Sequence, residues 1–438
     1  MMATAPVDRS ARLTPTFTDG VLVCGAAIPD GVVIYAGGPC VDEQVHATLR
    51  LHDVRQTLMA PGALPRLVST FTDSSLAPLG AARPIRQALD RVLPLLRPRL
   101  VVLAELSDLT IAGDDLSAIA ASVRERLGPE PIVVAATAQR IARDFRDAIA
   151  SILADLAREL PAAAFAGGPV PGRATVVGYF FERGEGDHVG TVEALSGLLR
   201  AVGLDPTATW LSGAPFAGLA EAARSSLLVA LPSGRLAARL LAARSGATVV
   251  ELDLPVGLGG TADWLRAVAT ASGRPGAADE VIERGLAAAV PWVDAVAGRV
   301  LAGRRALVSA VPDWLPGLSR MMGEDYGMEV ACGLERAREP AAGVAAAAGA
   351  ESPERTFDPS ADSLLLHARR AVAGRGLDVL VGSSWEWRTL AAAGIDVPFV
   401  EFGFPSLAWR CLRPAPLAGF DGALCWAERL SSALLARA

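Results

Sequence analysis

The fold of this 438-residue chain is decided by residues 31–51, GVVIYAGGPCVDEQVHATLRL. Residues 31–36 are a short run of mostly apolar residues, half of them β-branched, which predicts a buried strand. Gly37, Gly38, Pro39 and Cys40 interrupt that run, and residues 41–51 then predict a helix. A strand that leads through a glycine loop into a helix is the repeating step of a parallel α/β sheet.

The same alternation of short apolar runs and amphipathic stretches continues to the end of the chain. Runs rich in Val, Ile and Leu are typical of parallel strands that are covered on both faces. The further predicted strands are residues 100–106, 131–137, 174–180, 227–231, 247–252, 305–311, 328–332, 377–382 and 397–402. Amphipathic helices are predicted at residues 85–96, 143–160, 192–202 and 236–244. We therefore predict an α/β fold of three Rossmann-like units, each a mainly parallel sheet flanked by helices.

Shifts in composition suggest where these units begin and end. Residues 160–173, LPAAAFAGGPVPGR, are rich in Pro, Gly and Ala and separate the first unit from the next strand. A long helical region at residues 277–302 leads into the third unit, in which the low-complexity residues 337–362 predict a mobile insertion. The predicted units are residues 1–170, which carry the glycine loop, 171–300 and 301–438.

Composition excludes several classes of protein. Hydrophobic residues make up 51% of the chain, but alanine supplies much of that share and no run approaches the ~18 to 20 apolar residues that cross a bilayer. The net charge is −6 and no broad basic stripe is present, which argues against nucleic acid as a partner. No lysine occurs among the 41 basic residues. The chain therefore lacks a Walker-A phosphate loop, a Schiff-base lysine and the usual anchor of pyridoxal phosphate.

The cysteines form an odd, widely spread set, and the amino-terminal residues contain no apolar segment for secretion. We therefore expect a cytoplasmic protein with reduced thiols and no membrane insertion. Cys40 ends the loop 37–40 that directly follows the predicted strand 31–36, and it opens the predicted helix. The positive end of that helix would lower the pKa of the thiol and favour the thiolate that binds iron or zinc. The alternative is a tight turn whose cysteine only packs.

Two further loops follow predicted strands. Ser107 and Asp108 begin the first loop, in which Asp114 or its neighbour most simply caps the next helix. Trp385 and Trp387 lie in the second loop, after strand 377–382. Paired tryptophans at this position either cover an aromatic ligand or pack against the neighbouring unit.

The remaining thiols and one histidine are weaker candidates for a site. Cys332 and Cys425 are predicted in the core, and Cys411 is predicted as a core or surface thiol. Cys24 precedes Cys40 by sixteen residues and is a candidate second metal ligand. His188 is predicted to lie in a solvated loop.

The order of these pieces resembles the nitrogenase component 1 family. The residues IYAGGPC, ending at Cys40, are similar to the family's first strand and its cluster-ligating cysteine. The stretch LSDLTIAGDDL resembles a later family motif, with Ser107 standing roughly where a cysteine is often found. Residues 254–261, LPVGLGGT, resemble a turn of the second unit, and residues 403–405, Gly-Phe-Pro, are characteristic of β-type subunits.

This resemblance implies a β-type subunit of a heteromeric nitrogenase-like oxidoreductase. Such a subunit would hold an iron–sulfur cluster, 4Fe–4S or larger, that it shares with an α-type partner in an αβ or α2β2 assembly. A separate ATP-dependent iron protein would pass electrons to that cluster. Nitrogenase β subunits supply three cysteines to their cluster, whereas this chain shows only Cys40 clearly, with Cys24 doubtful. The sequence therefore predicts a divergent, nitrogenase-like branch of the family.

Three alternatives remain open from the sequence. A scaffold subunit for nitrogenase cofactor biosynthesis would have the same fold and a similar single cysteine. A two-domain α/β glycosyltransferase would use a glutamate near a Gly-Phe-Pro-Ser-like loop, as Glu401 and residues 404–406 suggest. A metal- or tetrapyrrole-binding protein without redox partners would show the same sheets.

Overall fold

The chain was analysed as a computed structural model, which describes residues 13–37, 43, 66–71, 80–105, 115–128, 131–136, 144–179, 185–338 and 355–436. Its strands are β1 Gly31–Ala36, β2 Leu67–Ser69, β3 Leu100–Glu105, β4 Ile132–Ala136, β5 Val170–Val177, β6 Asp205–Thr209, β7 Ser225–Ala230, β8 Thr248–Glu251, β9 Arg305–Ala310, β10 Glu329–Glu335, β11 Arg355–Phe357, β12 Val379–Gly382 and β13 Phe399–Glu401.

The α-helices of the described residues alternate with these strands. They are α1 Phe17–Ala26, α2 Ala82–Leu96, α3 Leu116–Leu127, α4 Phe145–Glu159, α5 Gly186–Ala201, α6 Phe216–Ala220, α7 Arg235–Ser245, α8 Gly257–Ala271, α9 Asp279–Val296, α10 Leu315–Glu324, α11 Ala361–Ala373, α12 Ser384–Ala392 and α13 Gly419–Leu435. Among the residues that the structure describes, none of the helices is both long enough and apolar enough to cross a membrane.

The chain divides into two compact units. The two-sheet unit comprises residues 16–179 and 203–252. Its first sheet has the strand order β2-β1-β3-β4 and its second has the order β6-β5-β7-β8, and all pairings in both are parallel. In the first sheet, side chains of β1, β3 and β4 pack with α2 and α3 into one apolar core.

The one-sheet unit comprises residues 1–15, 180–202 and 253–438. Its parallel sheet has the order β11-β10-β9-β12-β13. Its core joins side chains of β9, β10 and β12 to those of α11 and α12. Three parallel sheets flanked by helices confirm the predicted fold class. The boundaries of three sequential units stay a prediction.

Two local expectations differ from the structure. β5 begins at Val170, inside the stretch that composition marks as a linker, because the chain pairs there with Ser225 of β7. In the predicted mobile insertion 337–362, residues 355–357 form β11 beside β10, and α11 begins at Ala361. A Ser360 cap, whose hydroxyl accepts from the Ser363 amide, starts this helix. Residues 339–354 of the insertion lie outside the described residues.

Candidate functional site

The candidate site lies at the carboxyl edge of the first sheet. β1 pairs in parallel with β3, and Ala36 at the end of β1 is in register with Glu105 at the end of β3. The chain reaches β2 on one side of β1, whereas β3 and β4 follow on the other side. The edge between β1 and β3 is therefore a topological switch point, where connections diverge and leave a crevice.

The candidate loops leave the sheet at this switch point. Gly37 is buried directly after β1. Gly38, Cys40, Ser107 and Asp108 lie outside the described residues, so their roles stay predictions. The strand ends that precede them are nonetheless in register on neighbouring strands, so the two loops start side by side. This juxtaposition links two segments that are about 70 residues apart in the chain.

The strands that position these loops are rigidly packed. All six residues of β1 are buried, and Val33 and Ile34 are fully inaccessible. A Cβ atom added to Gly25 of α1 would lie 2.2 Å from Cγ2 of Val33, so α1 approaches β1 as closely as glycine allows. Burial on both faces therefore fixes where β1 ends and where the glycine loop begins.

Cys24, the candidate second ligand, lies on α1 rather than in a loop. Its side chain is fully buried, and this burial raises the pKa of the thiol far above its ordinary value. Metals bind the thiolate, which an apolar environment disfavours. The surroundings of Cys24 are thus those of a core thiol, and its role as a ligand stays a prediction. Among the described residues, no group of three or more His, Cys, Asp or Glu side chains is placed to hold a metal ion.

Trp385 and Trp387 both lie on α12, which follows the switch point of the third sheet between β9 and β12. The ring of Trp385 packs edge-to-face on Phe404, with 6.2 Å between ring centroids. The ring of Trp387 stacks on Phe399 at 5.4 Å. Both indoles are half-buried against the core of the one-sheet unit. Their described contacts are therefore structural, and a role at an interface stays a prediction.

A buried glutamate fixes the start of α12. Glu386 accepts hydrogen bonds from the Ser383 amide at 2.9 Å and from the Ser309 hydroxyl of β9 at 2.5 Å. The Ser383 hydroxyl in turn accepts from the Trp385 amide, which completes a capping box. The spacing Ser-x-x-Glu in the sequence is the signal that predicts such a cap. The position of Ser309 was not predictable, because it belongs to a strand more than 70 residues earlier.

The carboxylate of Glu401 is engaged by the chain itself. It is 5% exposed and accepts hydrogen bonds from the amides of Leu407 at 2.8 Å, Ala408 at 3.1 Å and Trp409 at 2.6 Å. A carboxylate that gathers three backbone donors orders the segment that supplies them. This arrangement does not favour Glu401 as the donor-site glutamate of a glycosyltransferase.

A cluster of buried acidic residues lies at the start of α5, and the sequence did not predict it. Glu185 accepts from the Cys411 amide at 2.6 Å and from Arg410 at 2.8 Å. Asp187 lies 3.6 Å from Nη2 of Arg429. His188 belongs to the same helix start, so the predicted solvated loop is wrong. Its ring is 1% exposed, and burial lowers its pKa to about 3.

The predicted core position is confirmed for Cys332 but not for Cys425. Cys332 is buried in β10 and Cys411 is buried in the segment before α13, whereas Cys425 on α13 is only half-buried. Burial raises the pKa of the Cys425 thiol, and the charge of Arg429 opposes this effect. The four cysteines within the described residues form no disulfide bond.

Three parallel sheets flanked by helices define a multi-sheet α/β fold. The chain belongs to the nitrogenase component 1 type oxidoreductase family, whose model matches residues 18–435. Members of this family carry metal–sulfur clusters and work as multi-subunit complexes with an iron protein. The family resemblance read from the sequence is thereby confirmed.

Two solved structures share this fold. The structure "Nitrogenase Cp1 at pH 6.5" has a TM-score of 0.81 at 15% sequence identity, covering 100% of this chain and 95% of that chain. The structure "Nitrogenase Cp1 at pH 5" has a TM-score of 0.75 at 14% identity, covering 99% of this chain and 90% of that chain. At such low identities the likeness establishes the fold.

Proposed function

We propose that this chain is the β-type subunit of a nitrogenase-like component 1. In this role it holds an iron–sulfur cluster at its interface with an α-type subunit, and the cluster relays electrons from an ATP-dependent iron protein to a reduction site in the complex. The observation that carries the proposal is the switch point between β1 and β3. There the loop that contains Cys40 and the loop that contains Ser107 start on neighbouring strands in register.

The composition supports a separate polypeptide that hydrolyses ATP. The chain contains no lysine and hence no Walker-A loop, so the ATP hydrolysis that drives electron transfer belongs to another polypeptide. The family match supports the same arrangement, since component 1 proteins work with an iron protein.

The donor groups of this chain fit a shared cluster better than a complete one. Cys40 is the thiol that follows the switch-point strand, and Cys24 is buried in the core with a raised pKa. Among the residues that the structure describes, no group of three or more His, Cys, Asp or Glu side chains could hold a metal ion. In this proposal the remaining ligands come from the partner subunit. When bound, the cluster supplies one-electron transfer at low potential.

The contribution of the chain is positional. Buried β1 and β3 hold the starts of both loops at a fixed separation, and the covered sheet keeps water away from the strand ends. Because both loops start from rigid strands, less conformational entropy is lost when they hold a ligand than if their starts were free to move.

The test is anaerobic co-expression with an α-type partner, followed by iron and acid-labile sulfide analysis of the purified complex. We expect Cys40→Ala to lose at least half of the cluster iron, because the chain then supplies no thiolate at the switch point. Cys332→Ala, which removes a thiol buried in β10, is the matched control and keeps the iron. Full iron content in Cys40→Ala would remove Cys40 from the proposal.

Cys24→Ala distinguishes one ligand from two. We expect this variant to retain its iron, because the fully buried thiol is protonated at neutral pH. A loss equal to that of Cys40→Ala, in a complex that still assembles, would instead make Cys24 a ligand.

A further inference from the structure

A groove in the one-sheet unit is lined by basic, aromatic and thiol side chains. Its volume is about 790 Å³, and it lies between the edge strand β13, residues 408–415 and one face of α13. Arg410, Arg413 and Arg429 line this β13–α13 groove together with Trp409 and Leu412. It lies on a different sheet from the switch point between β1 and β3.

Arg429 is the central feature of the groove. Its side chain is 11% exposed, and its guanidinium lies 4.2 Å from the ring centroid of Trp409. Nη2 lies 3.6 Å from Asp187, but Nε and Nη1 are buried with no hydrogen-bond acceptor among the described residues. A buried donor without an acceptor is unfavourable, so a group that brought an oxygen to this guanidinium would be favoured.

The acidic residues near the groove do not remove this preference for an acceptor. Glu401 already accepts the backbone N–H groups of residues 407–409, and Glu185 holds Arg410. Arg413 is exposed at the groove, where a ligand can reach its guanidinium. Glu428 is the remaining carboxylate of the lining and is exposed to solvent. Arg429 and Arg413 are therefore the cationic donors available to a bound anion.

The thiols of the groove favour an anion over a metal cation. Nη2 of Arg429 lies 3.9 Å from Sγ of Cys411. The charge of the same guanidinium also lowers the pKa of the Cys425 thiol, against the larger effect of burial. A fixed positive charge beside both sulfur atoms repels a metal cation. Burial also keeps the Cys425 thiol protonated, which is not the form that binds metals.

The remaining lining is apolar and partly open to solvent. Trp409 is 41% exposed and Leu412 is 83% exposed. Exposed aromatic surface beside unsatisfied polar donors is typical of a site for a small molecule, in which the apolar wall supplies affinity and the donors fix orientation.

We propose that the β13–α13 groove binds a small amphipathic organic anion. Its carboxylate or phosphate group accepts hydrogen bonds from Arg429 and Arg413, and its flat apolar body lies against Trp409 and Leu412. This site is independent of the cluster proposal, because none of its residues belongs to the switch point of the first sheet.

The test is isothermal titration calorimetry of the full-length chain with three probes: 2-naphthoate, the uncharged 2-naphthamide and inorganic phosphate. We expect 2-naphthoate to saturate one site, and 2-naphthamide and phosphate each to bind at least tenfold more weakly. Equal affinity for naphthoate and naphthamide, or no saturable binding of naphthoate, would overturn the proposal. Naphthoate binding no tighter than phosphate would contradict the role of the apolar wall and overturn it as well.

Three variants assign the binding to the groove. We expect Arg429→Met to weaken naphthoate binding at least tenfold and Arg413→Ala about threefold to tenfold. Arg388→Ala, which removes an exposed arginine of α12 outside the groove, leaves the affinity unchanged. Because Arg429→Met leaves Asp187 without its cation, circular dichroism checks its fold. Arg413→Ala alters only an exposed side chain and keeps the test decisive if Arg429→Met unfolds. Equal affinity in Arg413→Ala and Arg388→Ala would reject the assignment.

Discussion

At the scale of single residues, Gly403 shows how a backbone position admits a buried charge. Its φ is +89°, and a Cβ atom there would lie 2.0 Å from Nη2 of Arg336. Arg336 is fully buried and donates from Nη1 to the Phe404 carbonyl at 2.6 Å. The Gly-Phe-Pro motif, which carries part of the family resemblance, therefore has a local physical reason: only glycine leaves room for this guanidinium.

Gly403→Ala should lower the free energy of unfolding by about 3 kcal/mol, since the new methyl group adds a clash with a buried group to the cost of a positive φ. Gly394→Ala is the matched control, because Gly394 also has a positive φ of +75° but its Cβ position is open. We expect the control to lose about 1 kcal/mol. Urea unfolding curves of the three proteins measure the difference, and equal losses would contradict the packing argument.

The residue scale also shows where local sequence misleads. His188 is flanked by acidic residues and glycines, GEGDHVG, which is typical of a loop. The structure instead places it in the first turn of α5, where it is buried. No local pattern reveals this, because segment 411–417, which packs against the start of α5, lies more than 220 residues further along the chain.

At the scale of elements, the segment after β13 is ordered by one carboxylate rather than by regular secondary structure. Glu401 ends β13 and accepts from the amides of residues 407, 408 and 409. Ser384 at the start of α12 also donates to Glu401, which ties this segment to the helix. The segment continues into the wall of the β13–α13 groove, so its order determines the shape of that groove.

Glu401→Gln should destabilise this segment by about 2–3 kcal/mol. In the glutamine side chain an NH2 group replaces one of the two carboxylate oxygens. One hydrogen-bond acceptor is lost, and the NH2 group, which is a donor, then faces backbone N–H groups that are donors as well. The control is Glu283→Gln on α9, which changes an exposed carboxylate and should stay within about 0.5 kcal/mol of the wild type. Thermal unfolding measures both, and hydrogen exchange at residues 407–409 locates the loss. An unchanged melting temperature in Glu401→Gln would refute the role given to this carboxylate.

The sequence predicts elements best where burial is uniform. β1 spans Gly31–Ala36, the residues that the apolar run predicts, because a strand covered on both faces needs a continuous apolar sequence. β10 extends to Glu335, three residues beyond its prediction. Its later residues include Gly333 and Glu335, which carry no strand pattern. They pair with β11 and β9, and that pairing is set by the fold.

At the scale of the molecule, buried ionisable groups link the chain's stability to pH. Glu185, Asp187 and His188 at the start of α5 are each at most 5% exposed. Glu185 and Asp187 are neighbours of Arg410 and Arg429 in the one-sheet unit. Burial holds the pKa of His188 at about 3, well below its ordinary value of 6.5. The unfolded chain therefore binds one more proton at this site than the folded chain between these two pH values.

Because the folded-state pKa of His188 is lowered, its contribution to stability is intact above pH 6.5 and is lost as pH falls toward 3. We expect the wild type to lose about 1.4 kcal/mol more than His188→Gln between pH 7.5 and pH 5.5. Urea unfolding at both pH values measures this difference. Nearby carboxylates affect both proteins alike, so parallel pH profiles would contradict a neutral, buried His188.

The sequence by itself determined the kind of protein. Strand and helix periodicity fixes an α/β fold locally, and the motifs around Cys40 and Gly403 identify the family, because both signals lie within short continuous segments. The tertiary structure alone decided which segments meet. It set the register of Ala36 with Glu105, the contacts of Glu185 with Cys411, and the two unsatisfied donors of Arg429 in their groove. Such contacts join residues far apart in the chain, and they arise only when the apolar faces of separate elements are buried together.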